Sequence, residues 1–241
     1  MNKRNGELII LIGENGTGKT TYSKQILRFN KRALIIPANQ ADSLTAWADI
    51  PEIPVDGILK KVTGLGPLDW ELLNDKKNRD LKHKMFLFMF EVFQSITGAY
   101  KINIPSRRKI LFEMIVHDEL GFINGHLQFD DFKSYIPGLN NPPQYIVQWV
   151  GDRRMKNLDI VLAAHTPNEI PPLFFGKGPT IVLWKTGRSF ATAKDKIGET
   201  MFPIITAAQK RINAKPKAQP NGSTPVISPY EVIQIPQTDF E

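Results

Sequence analysis

Short aliphatic runs recur along the chain, separated by longer polar stretches. The first is Leu-Ile-Ile-Leu-Ile over residues 8–12, which shows no alternation with polar residues. Unbroken runs of this kind are typical of strands in a parallel sheet, because helices cover both faces of such a sheet. The runs that we predict to be strands are residues 8–12, 33–36, 110–116, 158–164 and 181–184.

Helical patterns lie between these runs. We predict helices over residues 19–30, 72–97 and 143–155. Strands that alternate with helices indicate an α/β fold with a mostly parallel central sheet and right-handed crossovers. We expect one domain over residues 1–210, with a helical insertion around 40–105. From residue 211 the sequence becomes rich in proline and polar residues, which predicts an extended or disordered tail over 211–241.

Composition narrows the possible chemistry. The chain of 241 residues has no cysteine, which excludes disulfides, zinc–thiolate centres, iron–sulfur clusters and thiol catalysis. No apolar run approaches the length of a membrane helix, and the first residues lack the apolar stretch of a signal peptide, so we expect a cytoplasmic protein. A net charge of +7 favours polyanionic partners.

A glycine-rich segment follows the first predicted strand and opens the first predicted helix. It matches G-x-x-x-x-G-K-[ST] at every fixed position, in the context that a phosphate-binding loop requires. Its backbone N–H groups and the helix N-terminus would hold phosphate, Lys19 would reach the β- and γ-phosphates, and Thr20 would bind Mg²⁺. The residues predicted to bind nucleotide are Gly13, Glu14, Asn15, Gly16, Thr17, Gly18, Lys19, Thr20 and Thr21.

Two adjacent carboxylates follow the run at residues 110–116. We predict that Asp118 holds Mg²⁺ and that Glu119 is the base that activates water. Small-molecule kinases generally lack the second carboxylate, so the pair favours an ATP-hydrolysing motor. The alternative is a surface acidic pair at the end of a strand.

Three further polar residues are candidates for catalysis. His165 ends the strand predicted at 158–164 and would contact the γ-phosphate; alternatively it only caps that strand. Arg153 or Arg154 would reach the γ-phosphate of a neighbouring subunit as an arginine finger. The alternative for the two arginines is a solvated basic helix end, and the sequence does not choose between them.

Together these elements resemble the FtsK–HerA superfamily of P-loop motor ATPases. The resemblance rests on residues 8–21, 110–119 and 151–172, and the order of motifs extends over about residues 7–184. It is closest to the genome-packaging ATPases of tailless membrane-containing viruses and to the Zot-like ATPases of filamentous phages. The family usually has glutamine at the position of His165. Zot-like proteins usually carry a membrane-spanning segment, so the packaging branch is favoured.

The resemblance implies a three-layer RecA-like domain that binds ATP and Mg²⁺ and assembles as a hexameric or pentameric ring around DNA. We therefore expect an ATP-hydrolysing motor that translocates DNA into a viral capsid, with a capsid or membrane-vertex protein as a further partner. Its location would be the host cytoplasm or the virion. The alternatives are a Zot-like phage assembly and export ATPase and a P-loop phosphotransferase.

Overall fold

The computed structural model describes residues 6–28, 32–65, 72–103, 108–136, 138–218 and 227–237. Within them one sheet has seven strands in the order β3-β2-β4-β5-β1-β6-β7. Neighbouring strands are parallel except β7, which is antiparallel to β6. The strands are β1 Leu8–Ile12, β2 Ala33–Ile36, β3 Ala99–Lys101, β4 His126–Phe129, β5 Asp159–Ala164, β6 Thr180–Leu183 and β7 Glu231–Gln234.

Both faces of the sheet are covered, as the unbroken aliphatic runs predict. Every residue of β1 is buried. Leu8, Ile10 and Ile12 belong to the main core on one face. Ile9 and Leu11 point to the other face and pack against a smaller cluster that includes Trp184. The strand that precedes the glycine-rich loop is therefore held in the centre of the sheet from both sides.

Helices connect the strands. The first predicted helix is present, although the final residues of its predicted range, 29 and 30, lie outside the described residues. α2, α3 and α4 lie between β2 and β3, where the sequence predicts a helical insertion. The helices are α1 Lys19–Leu27, α2 Gln40–Leu44, α3 Val55–Thr63, α4 Arg79–Ser95, α5 Arg108–Val116, α6 Gln144–Gly151, α7 Pro172–Phe175, α8 Lys194–Ile197 and α9 Met201–Asn213.

One strand prediction is wrong. The run at residues 110–116 is part of helix α5 and not a strand. All of its apolar residues are buried, and Glu113 pairs with Lys82 of α4 at 2.8 Å. A short apolar run does not distinguish a buried strand from a helix that is buried on nearly every side. The next strand after α5 is β4, which the sequence analysis missed because His126 and Gln128 interrupt its apolar pattern.

The C-terminal part of the chain adds to the same sheet. The predicted boundary at residue 210 falls inside α9, and the segment predicted as a tail contributes β7. Arg211 of α9 pairs with Glu231 of β7 at 2.6 Å. Residues 219–226 and 238–241 of the predicted tail lie outside the described residues. Among the helices of the described chain, none combines the length and apolarity needed to cross a lipid bilayer.

Candidate functional site

The glycine-rich loop lies between β1 and α1 and is tied to the strands on both sides of β1. The backbone N–H of Gly13 donates to the carbonyl of Ala164 at 3.2 Å, at the end of β5. The N–H of Glu14 donates to the carbonyl of Lys185 at 2.9 Å, just after β6. Gly18 precedes α1 with φ of 95°, a left-handed conformation that favours glycine. The loop is therefore a fixed part of the sheet edge.

Gly13 itself has no room for a side chain. A Cβ atom there would lie 2.6 Å from Cβ of Trp184 and 2.9 Å from Oγ1 of Thr17. We expect Gly13→Ala to displace the loop and to weaken ATP binding at least about tenfold, because the backbone N–H groups must converge on phosphate. Equilibrium titration with a fluorescent ATP analogue measures this. Gly57→Ala is the matched control, because a Cβ at Gly57 meets no atom within 4 Å.

A cavity of about 630 Å³ opens in front of this loop. Most of the residues predicted to bind nucleotide line it, together with residues from the carboxyl ends of β2, β4 and β5. The lining residues are Asn15, Gly16, Thr17, Gly18, Lys19, Thr20, Thr21, Ala38, Asn39, Asp42, Asp130, Asp131, Ala163, Ala164 and His165. The structure thus brings the phosphate-binding loop and His165 together, whereas Asp118 and Glu119 are not among these residues.

Lys19 is folded back onto its own loop. Its ammonium group donates to the carbonyl of Glu14 at 3.1 Å and to the carbonyl of Gly13. Burial lowers the pKa of Lys19 to about 8, because a buried ammonium loses the hydration that stabilises its charge. A bound triphosphate would give this cation the negative partner that the loop carbonyls only partly replace.

The acidic residues at the cavity are Asp42 of α2, and Asp130 and Asp131, which directly follow β4. β4 is next to β5, and β5 is next to β1, so the carboxyl end of β4 faces the phosphate-binding loop across one strand. The Asp130 carboxylate accepts the indole N–H of Trp47 at 2.7 Å and the amide of Gln128 at 3.0 Å. Burial raises the pKa of Asp130, although these hydrogen bonds oppose the rise.

Asp131 adopts an unusual backbone conformation. Its φ is 56°, in the left-handed region that few residues other than glycine adopt. One carboxylate oxygen, Oδ2, accepts the hydroxyl of Ser134, and the other, Oδ1, is buried with no hydrogen-bond partner in the described structure. A strained residue with an unsatisfied buried oxygen at the edge of a cavity is the kind of group that a ligand completes.

His165 lies at the end of β5, where the sequence analysis expects it, and lines the cavity. Its backbone N–H donates to Glu169 at 2.6 Å, and its ring atom Nδ1 is buried with no hydrogen-bond partner in the described structure. Glu169 also forms an ion pair at 2.6 Å with Lys133, which lies two residues after Asp131. Glu169 therefore connects the loop after β5 to the loop after β4.

The structure does not bring Asp118 and Glu119 to the phosphate-binding loop. They follow helix α5 in a turn, in which Nδ1 of His117 accepts the N–H of Glu119 at 3.2 Å. Asp118 is exposed and pairs with Lys156 at 2.7 Å. Lys156 lies just before β5, whereas the phosphate-binding loop lies at the other end of this strand. The two ends of the six-residue strand are about 16 Å apart.

The prediction that Asp118 holds Mg²⁺ beside Lys19, with Glu119 as base, is therefore not compatible with their position. This prediction was wrong because it took residues 110–116 as a strand, whereas they belong to helix α5. A more useful signal was the sequence Leu127-Gln128-Phe129-Asp130-Asp131, in which two adjacent carboxylates end a shorter and more polar run.

The two arginines also lie at the edge opposite the phosphate-binding loop. Arg153 is 3% exposed, and its guanidinium donates to the carbonyls of Val150 at 2.9 Å and Lys177 at 2.8 Å. Burial, with a contribution from neighbouring Arg154, lowers the pKa of Arg153 to about 10. Arg153 is thus engaged within its own subunit, whereas Arg154 is exposed. Of the two, only Arg154 has an exposed side chain.

Residues after α9 contact the outer side of the loop. Lys217 pairs with Glu14 at 2.6 Å, and the backbone N–H of Ser228 donates to the carbonyl of Thr17 at 3.0 Å. Tyr230 packs edge-to-face against Tyr22 of α1 and at a tilt against Trp184, with ring centroids 5.3 Å apart in both cases. Sequence analysis could not assign these contacts, because a proline-rich segment carries no periodic pattern that predicts where it packs.

The donors at the cavity suit one divalent cation bound together with phosphate. Among the described residues, no cluster of three or more histidine or acidic side chains could hold a metal alone. Mg²⁺ beside a nucleotide needs only one or two protein oxygens, since phosphates and water supply the rest. The Thr20 hydroxyl and the Asp130 carboxylate line the same cavity, and the unsatisfied Oδ1 of Asp131 is near them. These residues fit such an ion.

Comparison with known proteins gives matches at the level of structure only. No protein-family model matches this sequence, and no curated protein does. The genome packaging NTPase B204 of Sulfolobus turreted icosahedral virus 2, in complex with AMP, aligns with a TM-score of 0.59 and 11% identity, over 98% of this chain and 94% of that chain. Its complex with ATP-γS aligns with a TM-score of 0.57 and 11% identity, over 99% and 96%.

A further structure, of B204 as the DNA-packaging ATPase of Sulfolobus turreted icosahedral virus, aligns with a TM-score of 0.53 and 11% identity, over 89% of this chain and 90% of that chain. At this level of identity the likeness establishes a shared fold. This chain has the α/β fold of the packaging NTPase B204 over nearly its whole length.

Proposed function

We propose that this chain is an ATP-hydrolysing motor subunit that translocates DNA, in the manner of a viral genome-packaging ATPase. One observation carries the proposal: most of the phosphate-binding loop, the adjacent carboxylates of Asp130 and Asp131, and His165 line one cavity at the carboxyl edge of the sheet. The fold shared with B204, described as a genome packaging NTPase and solved with ATP-γS, supports the same function. No observation favours the phage-export or phosphotransferase alternatives.

Each group of residues at the cavity has a separate role in ATP hydrolysis. Backbone N–H groups of the loop and the Lys19 ammonium bind the phosphates. Thr20 and Asp130 would hold Mg²⁺, which neutralises charge on the phosphate oxygens when it is bound. Asp131 takes the role that the sequence analysis gave to Glu119: it orients the attacking water and accepts its proton. His165 lines the same cavity and would contact the γ-phosphate.

In an assembled ring, a neighbouring subunit would supply one further positively charged side chain to the nucleotide site. Arg154 is exposed at the edge opposite the phosphate-binding loop, and in a ring it would act as the arginine finger on a neighbouring subunit's nucleotide. Positive side chains would then hold DNA through its phosphates, in contacts that are sequence-tolerant and salt-sensitive. As a packaging subunit the protein would act in the host cytoplasm or on the virion, with a capsid or membrane-vertex protein as its dock.

ATPase assays with and without DNA, combined with the mass in solution, test this proposal. We expect double-stranded DNA to raise the ATPase rate severalfold and a ring mass to appear with ATP, because the arginine of one subunit completes the site of the next. Raising the salt concentration should remove the stimulation. A monomer that hydrolyses ATP at the same rate with and without DNA would contradict the motor function, and phosphate transfer to a small acceptor would favour a phosphotransferase.

A further inference from the structure

Both oxygens of the Asp130 carboxylate are held by neutral donors. Oδ2 accepts the indole N–H of Trp47 at 2.7 Å, and Oδ1 accepts the side-chain amide of Gln128 at 3.0 Å. Gln128 is on the same strand, two residues earlier. Trp47 is 83 residues away in sequence and belongs to the helical insertion between β2 and β3. One of the two groups that orient this carboxylate therefore comes from outside the sheet.

Trp47 is itself fixed by contacts with several elements. It is fully buried, and its carbonyl accepts the ammonium group of Lys101 of β3 at 2.8 Å. Lys24 of α1, the helix that begins at the phosphate-binding loop, lies 5.6 Å from the centre of the indole ring. The ring packs with Leu27 of α1 and with Ile35 of β2. The indole N–H therefore has little freedom to point anywhere except toward Asp130.

The same segment of chain also reaches the cavity directly. Asn39 and Asp42, at the start of α2, line it, and the Asn39 side chain donates to the Asp42 carboxylate at 2.8 Å. The backbone N–H of Trp47 donates to the carbonyl of Asp42 at 3.1 Å. A short and continuous set of hydrogen bonds thus runs from the cavity wall through Trp47 to the carboxylate of Asp130.

From this geometry we infer that Trp47 is a positioning residue for Mg²⁺-dependent nucleotide binding, acting through the hydrogen bond from its indole N–H to Asp130. The inference rests on the proposed function, because it takes Asp130 as the carboxylate on the metal side. Without the indole N–H, Asp130 loses a fixed rotamer and one of two donors that stabilise its buried charge. Donors to a carboxylate at a metal site typically change metal affinity or activity by about 10–100-fold when removed.

The first test is Trp47→Phe, which keeps an aromatic ring and removes the N–H. We expect the Mg²⁺ concentration for half-maximal ATP hydrolysis to rise about tenfold. Mg²⁺-dependent binding of a fluorescent, non-hydrolysable ATP analogue should weaken by a similar factor, whereas binding without Mg²⁺ should stay unchanged. Trp149→Phe is the matched control, because Trp149 is equally buried but lines a separate cavity with Phe86 and His117.

A spectroscopic measurement separates positioning from packing. The ¹H–¹⁵N signal of the Trp47 indole, identified by its loss in Trp47→Phe, should shift in Asp130→Asn and on addition of Mg²⁺ with the analogue. In the Trp47→Phe, Asp130→Asn double variant, the loss of activity should equal that of Asp130→Asn alone, because both changes act through one hydrogen bond. If Trp47→Phe does not fold, benzothienylalanine at position 47 keeps the bicyclic shape and removes the N–H.

The outcomes distinguish the inference from the proposed function. If Asp130→Asn is inactive while the variant without the indole N–H keeps the parental Mg²⁺ requirement, the inference fails and the proposed function stands. If Trp149→Phe changes the Mg²⁺ requirement as much as Trp47→Phe does, the effect is general packing and the inference also fails. If the parental protein does not hydrolyse ATP, the proposed function fails and the inference falls with it.

Discussion

Replacing Lys19 with alanine is expected to reduce ATP turnover by at least about 100-fold, a loss typical of removing one charged group that stabilises the transition state. Lys19 is the cation of the phosphate-binding loop, and its ammonium group donates to the carbonyls of Gly13 and Glu14 in the same loop. Alanine removes this donor from both carbonyls, although the Glu14 carbonyl keeps the Thr17 hydroxyl, and it leaves the β- and γ-phosphates without a counter-charge. Initial rates of phosphate release, with ATP affinity measured in parallel, give the result.

Lys156→Ala is the matched control for this change. Lys156 is also a largely buried lysine, but it pairs with Asp118 at the opposite edge of the sheet. We expect its ATPase rate to stay within about twofold of the parental rate, since ion pairs with an exposed partner contribute little. Parental turnover by Lys19→Ala would mean that the cavity at the loop is not the site of hydrolysis.

The second large effect separates the two acidic pairs of the chain. Asp130→Asn should lower Mg²⁺-dependent ATP hydrolysis by about 100-fold or more, equivalent to about 3 kcal/mol of transition-state stabilisation. The reason is position: Asp130 follows β4 and lines the cavity with Lys19 and Thr20. The variant should still fold but with reduced stability, because asparagine offers one acceptor oxygen and leaves either the Trp47 indole N–H or the Gln128 amide without its acceptor. Thermal unfolding of the variant checks this.

Asp118→Asn and Glu119→Gln provide the comparison. Both residues are exposed in the turn after α5. We expect each variant to hydrolyse ATP within about twofold of the parental rate, as for most substitutions of exposed charges away from a site. Normal turnover by Asp130→Asn together with an inactive Glu119→Gln would instead support Asp118 and Glu119 as the catalytic pair. It would reject Asp130 and Asp131.

Sequence patterns were sufficient for the centre of this fold. The runs that became β1 and β2 are continuous and aliphatic, and the glycine-rich motif fixes the turn between β1 and α1. These signals are local, because burial on both faces and the conformation of glycine depend on few neighbours. The amino-acid sequence alone is therefore enough to assign the residues of the loop and to place His165 at the end of β5.

The acidic residues could not be assigned in this way. Residues 110–116 are more apolar than β4, yet they form α5, because a helix packed on several sides needs apolar residues nearly all round. In β4, Gln128 and His126 are buried polar residues, and Gln128 donates a hydrogen bond to Asp130. A strand that positions functional residues can therefore contain buried polar residues, unlike the continuous apolar pattern of a strand that only packs in the core.

Contacts between distant parts of the chain were equally beyond reach. Nothing local indicates that Trp47 donates to Asp130, or that Ser228 donates to the loop at Thr17. Both contacts depend on the final packing of segments without a periodic pattern. Tertiary context decides such pairings, and it decided the burial of Arg153 as well.

A crystal structure with Mg²⁺ and a non-hydrolysable ATP analogue tests the central claim most directly. The account predicts that the triphosphate lies along residues 13–21, with Lys19 turned from the loop carbonyls onto the phosphates. The metal ion should lie between Thr20 and Asp130, with Asp131 and His165 beside the γ-phosphate. A nucleotide bound elsewhere, or a metal ion held by Asp118 and Glu119, would contradict it.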